Sequence, residues 1–157
     1  MRAGIGYDVH PFAKGRRLVL GGVEIGGEDG LSGHSDGDAL LHAICDALLG
    51  AAALGDIGRH FPPGDPAYAG ADSRELLRRV GELVAGAGYR IENVDATVIA
   101  ERPRLQEHMP EMRRAIAGAL AVDETQVNVK ATTQEGMGAI GRGEGVAALA
   151  IALIERR

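Results

Sequence analysis

Asp8-Val9-His10, near the start of this 157-residue chain, is the most chemically loaded tripeptide in it. On an extended segment an Asp-x-His pair points both side chains to one face, because strand side chains alternate with period two. A third ligand is at hand in His42, which follows the polar cluster His34-Ser35-Asp36-Gly37-Asp38. Two imidazoles and a carboxylate with a fourth position open outline a catalytic metal site of the zinc type. The alternative for His42 is a helix histidine hydrogen-bonded to Asp38 or Asp46. The two readings are compatible, since a metal-bound imidazole usually donates its second N–H to an acceptor. His34, beside Ser35 and ahead of a helix, stands where a helix N-terminus can hold an anion, or it braces the loop. His60 and His108 have no paired ligand spacing and read as exposed.

A second constellation lies far along the chain, Lys130-Ala131-Thr132-Thr133-Gln134-Glu135 followed by Gly141-Arg142-Gly143-Glu144-Gly145. Two hydroxyls and a carboxylate after a strand suit polyphosphate contact and a Mg²⁺-type ion. Glycines around Arg142 allow close backbone approach, so its guanidinium fork can meet an oxyanion. The P-loop spacing is absent, which removes that route to phosphate binding.

The elements that must position these groups follow from periodicity and punctuation. Residues 3–10 and 17–25 read as two strands turned at Lys14-Gly15-Arg16, an N-terminal hairpin. Ser35 or Asp36 caps a helix through Leu54, with Ala39, Leu40, Ala43, Ile44, Ala47 and Leu48 at helical spacing and Gly55 as its stop. Asp38, His42 and Asp46 share a stripe on it. Residues 56–72 form a long Gly/Pro/Asp-rich connection, a length that in a compact domain is often functional. Asp72 or Ser73 caps a second helix to Ala87. A strand over 89–100 is broken at Arg102-Pro103-Arg104, a third helix runs from Leu105 to Leu120, and strands follow at 127–131 and 145–154. The pattern predicts one α+β domain over residues 1–157, a four-stranded mixed sheet with helices layered on one face plus the N-terminal hairpin.

Composition narrows the function classes. A net charge of −5 argues against non-specific nucleic-acid binding, which needs clustered Lys and Arg. No apolar run approaches the roughly 20 residues of a membrane span, and the N-terminus lacks an apolar signal region, so a cytoplasmic protein is expected. The single cysteine, Cys45, sits in an apolar stretch and reads as a buried thiol. With aromatics at 3% and no Trp, the core is built from Ala, Val, Leu and Ile.

Taken together, Gly6-Tyr7-Asp8-Val9-His10, Gly33-His34-Ser35-Asp36-Gly37-Asp38, Ala53-Leu54-Gly55-Asp56-Ile57-Gly58, Ala71-Asp72-Ser73-Arg74, Lys130-Ala131-Thr132-Thr133 and Gly141-Arg142-Gly143-Glu144-Gly145 resemble one family in order along nearly the whole chain. The resemblance is to the 2-C-methyl-D-erythritol 2,4-cyclodiphosphate synthases of the non-mevalonate isoprenoid pathway. It implies a homotrimer, its sheets packed around the three-fold axis and its active sites between neighbouring subunits. The implied reaction converts 4-diphosphocytidyl-2-C-methyl-D-erythritol 2-phosphate to the 2,4-cyclodiphosphate with release of CMP, by attack of the substrate's own phosphate.

Carried onto this chain, the resemblance implies that Asp8, His10 and His42 hold one Zn²⁺ per subunit, with Asp8 and His10 also touching substrate. Glu135 would ligate a second divalent ion, Mg²⁺ or Mn²⁺, on the diphosphate. His34 and Thr133 match the transition-state stabilisers, and Ser35 the substrate-binding set. Asp56, Ile57 and Gly58 match the segment that holds the methylerythritol hydroxyls, beside a flap of Phe61, Pro62, Pro63, Gly64 and Asp65. Ala100, Pro103, Arg104, Leu105 and Gln106 correspond to the cytosine pocket, and Thr132, Thr133 and Gln134 to phosphate contacts. An axial cavity that takes an isoprenoid diphosphate would involve Arg142, with Ala139 where an aromatic is frequent and Tyr7 in place of the frequent Phe. The absence of a fused cytidylyltransferase domain implies the monofunctional form. A phosphodiesterase or phosphatase on the same ligands, and a non-catalytic trimeric isoprenoid-diphosphate binder, are the alternative classes.

Overall fold

The computed structural model describes residues 1–157. The N-terminal segment extends as one long strand, β1 (Arg2–Ala13), and does not fold onto its successor. The β-rich run after it divides instead into β2 (Leu18–Leu20) and β3 (Val23–Ile25), which pair with each other. The hairpin therefore turns at Gly21-Gly22 and not at Lys14-Gly15-Arg16. A two-residue turn of this kind needs positive φ at both positions, and these glycines adopt +61° and +76°. After β4 (Gly30–Leu31) come α1 (Ala39–Ala52), α2 (Ile57–His60), α3 (Ser73–Gly86) and β5 (Tyr89–Ile99). The chain ends with α4 (Met109–Leu120), β6 (Val127–Thr132), the single turn α5 (Gly138–Gly141) and β7 (Gly145–Arg156).

The sheet has five strands in the order β4-β1-β7-β5-β6, one more than the pattern predicts. The addition is β4, whose two residues sit in a Gly/Asp-rich stretch that reads as loop and pair with Phe12 and Ala13 at the edge. β7 runs antiparallel between β1 and β5, and β5 and β6 are parallel, joined through α4. The other sequence-level boundaries shift modestly. The N-cap of α1 is Asp38, whose carboxylate accepts from Leu41 N, and that of α3 is Asp72. The 56–72 connection is not structureless: it holds α2 and a 3₁₀ turn at Pro66–Tyr68, each capped by the aspartate before it. His60 is half-buried, its Nε2–H donating to the Leu54 carbonyl at 2.9 Å, and His108 is half-buried at the start of α4.

All the long helices lie on one face of the sheet. Eleven of the fourteen residues of α1 are buried, because it is covered by β1 and β7 beneath and by α3 beside it. Cys45 is fully enclosed there, and burial pushes its thiol well above its ordinary range. The contact with β1 is a backbone one. A Cβ at Gly4 would fall 2.0 Å from the Ala47 carbonyl oxygen, and one at Gly6 would fall 1.9 Å from that of Ala43. Neither position tolerates a side chain unless the helix lifts off the sheet. No helix of the chain is long and apolar enough to cross a membrane.

Asp38 ties the helix to the hairpin. Its two carboxylate oxygens accept from Gly21 N at 2.9 Å and Gly22 N at 2.7 Å while one also caps α1. Burial and the neighbouring charge of Asp36 push the Asp38 carboxyl up to about 6, against the pull of those three N–H donors.

Replacing Gly6 by Ala is expected to destabilise the fold by about 3 kcal/mol, the upper end of ordinary overpacking. For a domain of this size that lowers Tm by roughly 10 °C. Thermal unfolding followed by circular dichroism checks this, and a Tm within experimental error of the unsubstituted protein would contradict so close an approach of α1 to β1.

Candidate active site

Glycine at positions 4 and 6 lets α1 run against β1, and the same face of β1 then presents Asp8 and His10 at its far end. His42, in the first turns of α1, meets them there. Asp8 Oδ2 lies 2.7 Å from His10 Nε2 and 3.0 Å from His42 Nδ1, and the two imidazole nitrogens are 3.2 Å apart. Three ligands around a tetrahedral zinc, at bond lengths of about 2 Å, stand roughly 3.3 Å from one another, so the triangle needs little expansion to take an ion. Asp8, His10 and His42 are also the one set of three such groups in the chain that converges in this way. Their side chains keep 26%, 18% and 12% exposure, which leaves the site open on one side.

The outward nitrogens of both imidazoles are already committed. His10 Nδ1–H donates to the Ser32 carbonyl at 2.5 Å, which leaves Nε2 as the ligand atom. His42 turns the other way: Nδ1 faces Asp8, and Nε2 lies near the hydroxyls of Ser35 and Ser73. Neither Asp38 nor Asp46 is its partner. Asp38 is turned into the core, and Asp46 Oδ1 accepts from Ile57 N at 2.7 Å, holding α2 in place. Without a cation, burial works to raise the Asp8 carboxyl, yet the hydrogen bonds from the two imidazoles outweigh it and hold the group at about 2. The same contact with Asp8 raises His10 above its ordinary value.

A cavity of about 260 Å³ opens in front of the triad. Asp8, His10, His34, Ser35, His42, Ile57, Gly58, Phe61 and Pro63 line it, all expected from the sequence. Tyr68 and Leu76 line it as well and were not expected, as nothing in their spacing separates them from ordinary packing residues. His34 Nε2–H donates to the Asp65 carbonyl at 2.8 Å, so the 61–65 segment is latched across the cavity mouth. Arg16 fixes the other side of His34, its guanidinium donating to the Gly33 and Ser35 carbonyls at 2.7 and 2.6 Å. Asp56 caps α2 through Arg59 N and is exposed beside the cavity, while Pro62 and Gly64 are exposed on the covering segment.

A second cavity, of about 550 Å³, lies at the same end of the sheet but two to three strands away, at the ends of β5 and β6. It is lined by Ala100, Glu101, Pro103, Arg104, Leu105, Gln106 and Met109 together with Lys130, Ala131, Thr132 and Thr133. At the usual strand spacing this puts it roughly 10–14 Å from the triad. Glu101 shapes its rim by accepting from Gln134 N at 2.8 Å. Glu135, at a left-handed φ of +53°, turns back so that its N–H donates to Thr133 Oγ1 at 3.2 Å. Gln134, Glu135, Ala139 and Arg142 line neither cavity. All four are exposed, and Arg142 is paired with Glu144 at 2.7 Å. One chain thus brings together the metal triad and the 56–65 segment, and separately the 100–106 and 130–133 segments. It does not join the two groups. A groove of about 820 Å³ between the C-terminal ends of α3 and α4 offers no converging ligand set, since Arg78 and Arg90 there are each held by carboxylates.

Comparison with known proteins gives this geometry a family. A profile of the YgbB family matches residues 1–155. The chain is similar to a Clostridium perfringens protein named 2-C-methyl-D-erythritol 2,4-cyclodiphosphate synthase, at 59% identity over 98% of this chain and 99% of that one. Among solved structures it is similar to the bifunctional IspDF of Campylobacter jejuni, with a TM-score of 0.96 and 44% identity over 99% of this chain and 42% of that one. It is also similar to a CDP complex of Plasmodium falciparum IspF, with a TM-score of 0.86 and 34% identity over 99% of this chain and 96% of that one. With a match from end to end at these identities, the chain belongs to the YgbB family of 2-C-methyl-D-erythritol 2,4-cyclodiphosphate synthases.

Proposed function

We infer that this chain converts 4-diphosphocytidyl-2-C-methyl-D-erythritol 2-phosphate to 2-C-methyl-D-erythritol 2,4-cyclodiphosphate and CMP, as a lyase of isoprenoid precursor biosynthesis. An oxygen of the 2-phosphate forms a bond to the β-phosphorus. The bond from that phosphorus to the oxygen bridging to the α-phosphorus breaks, and CMP leaves with the oxygen. Nucleophile and electrophile belong to one molecule, so no protein nucleophile is required, and catalysis is positioning together with charge neutralisation. The observation that carries this reading is the Asp8–His10–His42 triangle facing a cavity of phosphate-and-polyol size in a chain of this family.

The two-imidazole, one-carboxylate donor set suits Zn²⁺, with Asp8, His10 and His42 as its ligands. When bound, such an ion neutralises and aligns phosphate oxygens. Glu135 is the proposed ligand of a second divalent ion, Mg²⁺ or Mn²⁺, on the diphosphate. His34 and Thr133 donate to the oxygens that gain charge as the ring closes, and Ser35 adds a hydroxyl beside His34. Asp56, Ile57 and Gly58 hold the methylerythritol, covered by Phe61 through Asp65. The segment Ala100 through Gln106 reads cytosine with its peptide edges, while Thr132, Thr133 and Gln134 meet the phosphates.

Because the two cavities stand apart within a chain, we place the complete site between neighbouring subunits of a homotrimer. The face of the sheet opposite the helices supports this assembly. It leaves Ile5, Tyr7 and Val9 of β1 and Leu149 and Ile151 of β7 between 37% and 67% exposed, an apolar stripe that asks for cover. Beside it Lys130 and Asp95 pair at 2.5 Å, a polar margin to the stripe.

Incubation of the purified protein with the cytidylyl substrate, Zn²⁺ and Mg²⁺ is expected to yield CMP and the cyclic diphosphate in equal amounts. A linear, hydrolysed product would instead assign the site to a phosphodiesterase. His42→Ala is expected to abolish stoichiometric Zn²⁺ binding, read by metal analysis after dialysis, and full retention would refute the ligand assignment. Zinc affinity should also depend on pH. Asp8 raises the His10 pKa above its ordinary value in the metal-free protein, so a proton competes for Nε2 up to a higher pH than for a free imidazole. Chelator competition should show affinity rising as pH is raised from 6 to 8; a flat profile across that range would contradict it.

A further inference from the structure

The His42 ring is gripped from behind by hydrogen bonds that run through a serine to a carboxylate. Nδ1 faces Asp8 and His10. Nε2 lies 3.0 Å from Ser73 Oγ and 3.1 Å from Ser35 Oγ. Ser73 is the first residue of α3 and is fully buried. Its hydroxyl donates to Asp36 Oδ1 at 2.5 Å, and its backbone N–H donates to Asp36 Oδ2 at 2.9 Å. Asp36 Oδ1 also accepts from Asp38 N at 3.1 Å, so this carboxylate spans the N-termini of α1 and α3, where both helix dipoles favour it.

A serine hydroxyl has one proton to give. In Ser73 that proton goes to Asp36, so towards His42 the oxygen offers only lone pairs. A bare Nε2 would set lone pair against lone pair at 3.0 Å, whereas Nε2–H donates to Ser73. Ser35 Oγ, rotating freely, is compatible with either form and decides nothing. In the metal-free triangle Asp8 Oδ2, 3.0 Å from Nδ1, competes for the ring proton; with a cation in the triangle Nδ1 gives its lone pair to the ion, and the ring proton stands on Nε2, where Ser73 accepts it. Direct carboxylate–imidazole–metal chains are the familiar version of this arrangement; here a serine is interposed.

We propose that Asp36 and Ser73 are positioning residues of the metal centre, a carboxylate–hydroxyl relay that sets the tautomer and orientation of His42. The proposal rests on the reading that Asp8, His10 and His42 hold a divalent cation. Neither residue touches that cation or the substrate.

The direct test uses the intact protein loaded with Zn²⁺. Long-range ¹H–¹⁵N correlation spectra are expected to show His42 protonated at Nε2 and metal-bound through Nδ1. The reverse tautomer would overturn the proposal. Ser73→Ala is expected to weaken Zn²⁺ affinity by about 10- to 100-fold in chelator competition. Ser73→Thr, which keeps the hydroxyl, should restore most of that loss, and Asp36→Asn should weaken affinity as Ser73→Ala does. Unchanged affinity in Ser73→Ala would overturn the proposal. If a variant fails to fold, the spectrum of the unsubstituted protein still decides. His42→Ala separates the two levels: undiminished Zn²⁺ binding in that variant refutes the metal centre itself, whereas its loss alongside normal binding by Ser73→Ala refutes only the relay.

Discussion

The closeness of α1 to β1 is the constraint on which the rest of the molecule depends. Where a helix packs on a sheet through side chains, its axis stands well clear of the strand. At Gly4 and Gly6 there are no side chains, and the carbonyls of Ala43 and Ala47 occupy the space a Cβ would need. Dispersion contacts at this range, repeated along small residues on both elements, hold the two backbones as one unit. The active-site distances are a by-product of that unit. His42 reaches Asp8 and His10 because the helix is brought down to the strand at the adjoining Ala43 and at Ala47 one turn further on, and an offset of an ångström there would be transmitted to the triad.

Around this pair the chain arranges polar anchors that each join several elements. Asp38 holds the β2–β3 turn and caps α1; Asp36 bridges α1 and α3; Arg16 clamps the two carbonyls that flank His34. All three anchor one short loop, residues 33–38, two as members of it and Arg16 from outside, so the loop that borders the cavity is constrained from three directions. The covering segment at 61–65 is tied mainly to its own neighbours in sequence, and one hydrogen bond from His34 joins it to the 33–38 loop. A rigid floor beneath a lightly latched cover suits a substrate that must be enclosed before it reacts with itself.

Much of this was legible in the residues because the strongest signals are local. Period two put Asp8 and His10 on one face, period 3.6 located the long helices, and the apolar run at 145–154 announced the central strand. What escaped notice depends on contacts distant in sequence or on short turns. Gly21-Gly22 looked like punctuation within one strand until the backbone reversed there. The two residues of β4 carry no period at all, and their pairing comes only from lying beside Phe12 and Ala13. Ser73 reads as an ordinary helix-start residue, and only the fold brings it behind His42, 31 positions earlier. His42 itself was legible as a ligand, but its expected acid partners on the same helix were wrong. Asp38 is drawn inward by backbone donors, and Asp46 by Ile57 N.

All three ligands of the triad belong to a single chain, while the two cavities do not meet within it. In the proposed trimer, metal loading and catalytic competence are therefore separate events in the life of the protein. Under that proposal a newly folded chain would take up its ion alone, at a concentration too low for assembly, and stay inert. Competence then follows the mass action of three metal-bearing chains, so the bare apolar stripe on β1 and β7 acts in effect as the enzyme's on-switch.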